Sequence, residues 1–176
     1  MSWQKSLIEL DERITSWLRI AERPGLLRNL AILLAHSGDS WFWLLGLVLL
    51  WWLGGDFWQG RALELGVGIL VTAVLVMLIK FSVRRRRPVG EWGKIYRNTD
   101  PHSFPSGHAA RAILLAVMAV GLGPGWFALL LWFWAPLVVL ARVAMGLHYF
   151  SDVLAGAGLG FVMGIVILRF LPAFPF

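Results

Sequence analysis

The chain has 176 residues, of which 59% are hydrophobic, and a formal net charge of +6. A mean hydropathy of +0.72 and long apolar runs exclude an ordinary soluble domain, which is about half apolar, and favour an integral membrane protein. Cysteine is absent, so disulfide bonds and cysteine-ligated metals are excluded.

The first 36 residues predict two amphipathic helices at the membrane surface. Apolar residues recur at helical spacing over 3–21, with charged residues between them, and a Pro-Gly pair ends this stretch. The next segment, 26–36, is too short, and at Arg28 too charged, to span a bilayer alone. Acidic residues begin at Glu9, where a cleavable signal has its apolar core, so we expect no signal peptide.

Residues 37–176 predict one transmembrane bundle, and the fold class is all-α. Five apolar segments are candidate spans: 39–54, 62–81, 107–122, 126–146 and 149–170. The count becomes six if the N-terminal region inserts. In the last span Gly156, Gly160 and Gly164 form a ladder of small residues that favours close helix packing.

Three segments place charge at span ends or inside spans, where the bilayer makes it costly. They run from Lys80 to Pro88, from Pro105 to His108 and from Arg142 to Asp152. Five spans bring all three segments to one face of the membrane, together with the polar loop 82–105. This convergence of ionisable groups indicates a functional site.

The residue types in these segments fit phosphoryl transfer. Lys80, Arg87 and Arg142 are cations that could hold a phosphate group. Ser106 stands where a span begins, so its hydroxyl can cap the helix and the N–H groups that follow can bind an anion. Gly107 lets a phosphate group approach the backbone closely.

Two histidines have separable roles in such a site. His148 and Asp152 are four residues apart, so a helix would place them on one face, and an aspartate that orients a histidine makes the opposite ring nitrogen a competent nucleophile. His108 lies beside the anion site and is a candidate general acid for the leaving oxygen. It would then act as base for the water that releases phosphate from His148.

The three segments resemble the signature motifs of the phosphatidic acid phosphatase type 2 superfamily, which are Lys-x6-Arg-Pro, Pro-Ser-Gly-His and Ser-Arg-x5-His-x3-Asp. The first two are matched in full, and the third departs only at Ala141, where the family usually has serine. This departure removes a hydroxyl group that could support the site. It does not remove a catalytic group. The resemblance covers about residues 39–170.

The resemblance implies a metal-independent lipid phosphatase that uses no cofactor, on an all-helical core similar to that of vanadium haloperoxidases. It implies that His148 is the nucleophile, Asp152 its partner and His108 the acid. The implied phosphate binders are Lys80, Arg87, Ser106, Gly107 and Arg142. The size and N-terminal layout are similar to those of small bacterial members that act on undecaprenyl diphosphate or related lipids, so this lipid is the favoured substrate.

Charged residues outside the motifs have open roles. Arg111 lies three residues after His108 and either contacts a second phosphate or headgroup, or forms a structural ion pair. The run 84–86 is predicted to be solvated and to attract anionic headgroups. His36 and His102 are predicted to be surface or cap residues, with His102 a candidate for headgroup contact.

The orientation carries opposing signals. The active-site loop 82–105 holds six basic and two acidic residues, a net charge of +4, which the positive-inside rule places in the cytoplasm. The family resemblance implies the opposite face, and a catalytic role explains part of this charge. We therefore expect a multi-pass protein of a bacterial inner membrane, with its active site facing the periplasm.

Other functions stay open at this point. The motifs do not separate polyprenyl diphosphate hydrolysis from a phosphatidylglycerol-phosphate, phosphatidic acid or lipid A phosphatase, or from a phosphotransferase. A vanadate-dependent haloperoxidase is disfavoured because soluble oxidant chemistry needs no bilayer. A lipid-binding or transport protein would keep its function in His148→Ala. The expected partners are a lipid phosphate and the bilayer, with no nucleic acid.

Overall fold

The computed structural model describes residues 3–90 and 92–170 and, within them, every side chain except those of Gln4, Lys94 and Ile95. These residues form eight helices: α1 (Trp3–Leu18), α2 (Leu26–Ser37), α3 (Ser40–Leu53), α4 (Asp56–Val83), α5 (Lys94–Thr99), α6 (Gly107–Leu122), α7 (Gly125–Ala144) and α8 (Phe150–Phe170). The predicted all-α fold class is confirmed.

The predicted count of five spans is not confirmed. Within the described ranges, α4, α7 and α8 are long and apolar enough to cross a membrane, and α2 with α3 gives a fourth candidate that is bent by 58°. Alone, α3 has 14 residues and α6 has 16, whereas a straight span needs about 20. The helix at 26–36, predicted to lie on the surface, is thus the first half of a broken segment.

The core of the bundle is α6, which packs mainly on α7 and α8 and has most of its residues buried. The predicted glycine ladder on α8 faces α6. A Cβ atom at Gly160 would collide with the main chain of Ala110, and one at Gly156 would collide with the carbonyl of Ser106. This close contact holds the N-terminal ends of α6 and α8 side by side, which is where the second and third motifs lie.

Helix α1 packs against α7 and α8 and presents large apolar side chains outward, as an interfacial helix does. It also caps α8. Oδ1 of Asp11 accepts the backbone N–H of Ser151 at 2.9 Å, and Oγ1 of Thr15 accepts that of Phe150 at 3.0 Å. These two side chains satisfy N–H groups that the first turn of a helix otherwise leaves unpaired.

Candidate active site

A cavity of about 160 Å³ opens where α4, α6 and the loop after α4 meet. One part is polar, and its charged or titratable lining side chains include Lys80, Arg87, Asp100, His108, Arg111 and His148. The other part is apolar and is formed by one face of α4, with Ile69, Ala73 and Val76. Residues from all three predicted segments therefore meet in one cavity.

Two of the predicted cations share one carboxylate. Nζ of Lys80 lies 2.5 Å from Oδ2 of Asp100, and Nη2 of Arg87 lies 2.9 Å from the same atom. The carbonyl of His102 also accepts from Lys80 at 2.8 Å, so His102 acts here through its main chain. Burial alone would raise the pKa of Asp100, but the hydrogen bond and charge of Lys80, with the charge of Arg87, hold that pKa below its ordinary value.

Asp100 therefore stays ionised and lies where these cations would meet a phosphate group. No motif or periodicity marks this residue in the sequence, because it directly follows the short helix α5 and reaches Lys80 only through the fold.

His148 lies in the turn before α8 and is buried. Its Nδ1 atom is 2.8 Å from the carbonyl oxygen of Ser103 and 3.6 Å from Oδ2 of Asp152. The prediction that both residues share a helix face is wrong, because α8 begins only at Phe150. Asp152 is too far away for a hydrogen bond, and Ser103 makes the hydrogen bond instead.

The protonation state of His148 follows from its neighbours. Nη1 of Arg87 lies 3.0 Å from Nε2 of His148, and a guanidinium group can only donate, so Nε2 accepts and Nδ1 carries the hydrogen. Burial, together with the charges of Arg87 and Arg142, lowers the pKa of His148 to about 3. The imidazole is therefore neutral near pH 7, and its lone pair is on Nε2, at the cavity.

Asp152 has a firmer partner that sequence reasoning missed. Nη1 of Arg85 lies 2.7 Å from Oδ1 of Asp152, and Nη2 of Arg85 lies 2.7 Å from Oδ2 of Asp11. The guanidinium group also lies 4.0 Å above the ring of Tyr149. Arg85 is thus half-buried, so the prediction of a solvated run at 84–86 is wrong for its middle residue, while Arg84 and Arg86 are exposed.

His108 lies in the first turn of α6. Ser106 precedes that helix, and its Oγ atom accepts the backbone N–H of Ala109 at 3.4 Å, so the predicted cap is confirmed. Nε2 of His108 lies 2.7 Å from Oδ1 of Asp39, in the bend between α2 and α3. Asp39 belongs to no motif, and no pattern in the sequence indicates this contact. Gly107 also lines the cavity.

The two remaining arginines differ in their partners. Nε of Arg111 donates to the carbonyl of Gly38 at 3.0 Å, and Nη1 donates to Oγ of Ser40 at 2.5 Å, so Arg111 lines the cavity and also binds the α2–α3 bend. Arg142 is completely buried, with its guanidinium carbon 4.9 Å from the centre of the Tyr96 ring. Its Nε and Nη2 atoms have no hydrogen-bond partner among the described residues.

The fold and cavity define a helical membrane phosphatase, and comparisons with known proteins agree. The PAP2 superfamily model matches residues 61–175. The decaprenylphosphoryl-5-phosphoribose phosphatase of Mycobacterium tuberculosis is 35% identical over 154 residues, which cover 84% of this chain and 82% of that protein. The chain therefore belongs to the PAP2 superfamily.

Two solved structures share the fold. The transmembrane PAP2-type phosphatidylglycerolphosphate phosphatase of Bacillus subtilis superposes with a TM-score of 0.76 at 24% identity, over 97% of this chain and 90% of that one. Aquifex aeolicus LpxE superposes with a TM-score of 0.74 at 24% identity, over 92% and 96%. The predicted family and the predicted class, a membrane enzyme that acts on lipid phosphates, are confirmed.

Proposed function

We propose that the protein removes a phosphate group from a polyprenyl-linked phosphate lipid, with undecaprenyl diphosphate as the favoured substrate. The observation that carries this proposal is the two-part cavity, which joins a cluster of cations to an apolar wall on α4. A lipid phosphate has the same two parts. The 35% identity to a relative named for a decaprenyl-linked substrate supports a polyprenyl chain.

In the proposed first step, the phosphate group displaces Asp100 from Lys80 and Arg87. Arg87 then leaves Nε2 of His148, which attacks phosphorus as the bond to the leaving oxygen breaks. His108 gives that oxygen a proton. The new N–P bond makes the His148 ring cationic.

The surroundings of the ring favour this cationic intermediate. Its Nδ1–H group points to the carbonyl of Ser103, and the carboxylate of Asp152 adds an attractive charge at 3.6 Å. The backbone N–H groups after Ser106 are the proposed further donors to the phosphoryl oxygens, and Arg142, which is fully buried and is not among the described residues that line the cavity, adds its positive charge.

In the second step, water attacks the phosphohistidine. His108 takes a proton from that water, inorganic phosphate leaves, and Nε2 of His148 recovers its lone pair. The two steps together consume one water and need no metal.

A second substrate is a polyprenylphosphoryl-5-phosphoribose, and the identity to the Mycobacterium tuberculosis enzyme favours it. This lipid presents a phosphate monoester on a sugar, so the same cations and histidines would act on it. The two substrates differ in the leaving group, which is a lipid phosphate in one and a sugar hydroxyl in the other.

A panel assay tests the proposal. Phosphate release by the purified protein in lipid nanodiscs is measured with both polyprenyl lipids, phosphatidic acid, phosphatidylglycerol phosphate, lipid A and glucose 6-phosphate. We expect the polyprenyl lipids to give the highest kcat/KM, with no loss on adding EDTA. Preference for glucose 6-phosphate, or activity that a chelator removes and metal restores, would contradict the proposal.

We also propose that the cavity faces the periplasm from a bacterial inner membrane. The N-terminal end of α8 lies at the cavity and the helix runs 21 residues away from it, so the C-terminus then lies on the cytoplasmic side. A reporter fused after Phe176 tests this orientation, and a translocated C-terminus would contradict it.

A further inference from the structure

The bend between α2 and α3 is hydrogen-bonded to the N-terminal part of α6. Arg111 binds the residues on either side of Asp39, through the carbonyl of Gly38 and the hydroxyl of Ser40. Asp39 itself reaches back to His108, with Oδ1 2.7 Å from Nε2. A side chain at Gly38 would press on the His108 ring, since a Cβ atom there would lie 3.3 Å from Cδ2.

The carboxylate of Asp39 is held at both oxygens and is well shielded. Oδ2 lies 3.1 Å from Nδ1 of His36, and the hydroxyl of Tyr96 lies 3.4 Å from Oδ1. The Asp39 side chain is 14% exposed and that of His108 is 17% exposed. A short contact between a carboxylate and a ring N–H group, shielded from water in this way, is among the stronger kinds of hydrogen bond.

Asp39 does not perform the task usual for its position. It is the residue that precedes α3, where an aspartate normally accepts an N–H group from the first turn of its own helix. Its side chain makes no such bond to α3. The carboxylate is directed to the two histidines instead, so capping of α3 does not explain the presence of an acid here.

We propose that Asp39 is a positioning residue for the proton that His108 gives to the leaving oxygen. A carboxylate can only accept, so Nε2 of His108 carries a hydrogen that stays with Asp39, and proton exchange falls to Nδ1. As the bond between phosphorus and the leaving oxygen breaks, the Nδ1 proton passes to that oxygen. The charge of Asp39 stabilises the imidazolium, which is the form that has this proton to give.

This inference rests on the proposed function, because it takes His108 as the acid. It extends the site beyond the three motifs and beyond the matched range 61–175, since residue 39 lies outside both. The bend between α2 and α3 brings this carboxylate from the N-terminal part of the chain to the first turn of α6.

The test compares leaving groups. Two phenyl phosphates that carry the same dodecyl chain are used as probes, one unsubstituted and one with nitro groups on the ring. The nitrophenolate leaves without a proton, whereas the unsubstituted phenolate needs one. Since kcat/KM reports the steps up to the phosphoenzyme, it isolates the step in which His108 acts as acid.

We expect Asp39→Asn to lower kcat/KM by about 100-fold for the unsubstituted probe, a typical loss for general acid catalysis, and by about 3-fold or less for the nitro probe. His108→Gln should show the same selectivity. Adding Asp39→Asn to His108→Gln should not lower kcat/KM further for either probe, because Asp39 acts only through His108. The matched control is Asp56→Asn at the exposed start of α4, which should behave as wild type.

Equal losses on both probes, or losses that add in the double variant, would show a structural role and overturn the inference. Should Asp39→Asn fail to fold, Asp39→Glu keeps the charge but displaces it by one methylene group, and its loss should again concentrate on the unsubstituted probe. A wild-type protein that hydrolyses neither probe nor undecaprenyl diphosphate would contradict the proposed function itself. An active wild type with unselective variants would contradict only the role of Asp39.

Discussion

His148 and His108 lie in the same cavity, yet different parts of the chain hold them. His148 is buried by the loop after α4 and the turn before α8, which lie in the matched family region, and its ring contacts Ser103 and Arg87. His108 is bound by Asp39, which lies in the N-terminal part of the chain outside that region. The proposed nucleophile is thus held by residues of the matched family region, whereas the proposed acid depends on a contact that the motifs do not encode.

The largest effect is expected at His148, the proposed nucleophile. His148→Gln should lower kcat by about 10⁴-fold or more on every lipid of the panel, because no other group takes the phosphoryl group. The variant should still melt cooperatively and bind lipid, since glutamine can keep a hydrogen bond to Ser103. Steady-state phosphate release measures this, and residual activity within tenfold of wild type would remove His148 from the role of nucleophile.

The next effect is on the pH dependence of stability, through His148. The pKa of His148 is about 3 in the folded protein, below its value in the unfolded chain, so the unfolded state binds the extra proton as pH falls. The stabilisation from a neutral His148 is complete above about pH 6.5 and is lost toward pH 3, with a slope of up to about 1.4 kcal/mol per pH unit.

Melting temperatures of wild type and His148→Gln between pH 5 and 8 measure this effect. Wild type should lose stability more steeply than the variant below about pH 6.5. Parallel curves for the two proteins would show that His148 is not held neutral by its surroundings.

A smaller effect, on stability, is expected where α1 contacts the start of α8 near His148. Asp11 caps α8 and also binds Arg85, which in turn binds Asp152. Asp11→Asn keeps an Oδ1 acceptor for Ser151 but places an amide NH2 group against Arg85, so it should destabilise the protein by about 1 kcal/mol through the lost charge-assisted hydrogen bond. Thermal unfolding measures the loss, and Glu9→Gln on the exposed side of α1 is the matched control. A variant as stable as that control would show that α1 does not support α8.

Many of the residues that line the cavity could be predicted from the sequence. Lys80, Arg87, His108 and His148 stand at fixed spacings in motifs, and the structure brings all four to one cavity. The all-α class and the close packing of α8 also follow from patterns within one segment, namely long apolar runs and glycines four residues apart, whereas the structure identifies α6 as the partner.

The features that were missed depend on contacts between distant segments. Asp39, Asp100 and Arg85 each meet a motif residue only after the chain folds, across 69, 20 and 67 positions of sequence. The bend at Gly38 was missed for a related reason. Each of α2 and α3 has an apolar pattern of its own, and the contacts of Arg111 with Gly38 and Ser40 form only in the folded chain.

The central claim is that Nε2 of His148 takes the phosphoryl group, and trapping this intermediate tests it most directly. The enzyme is mixed with undecaprenyl diphosphate labelled in its terminal phosphate, quenched in alkali during a single turnover, and digested to locate the label. We predict label on His148 that is stable to alkali and lost in acid, and no label in His148→Gln. Label at another residue, or its persistence in His148→Gln, would contradict the account.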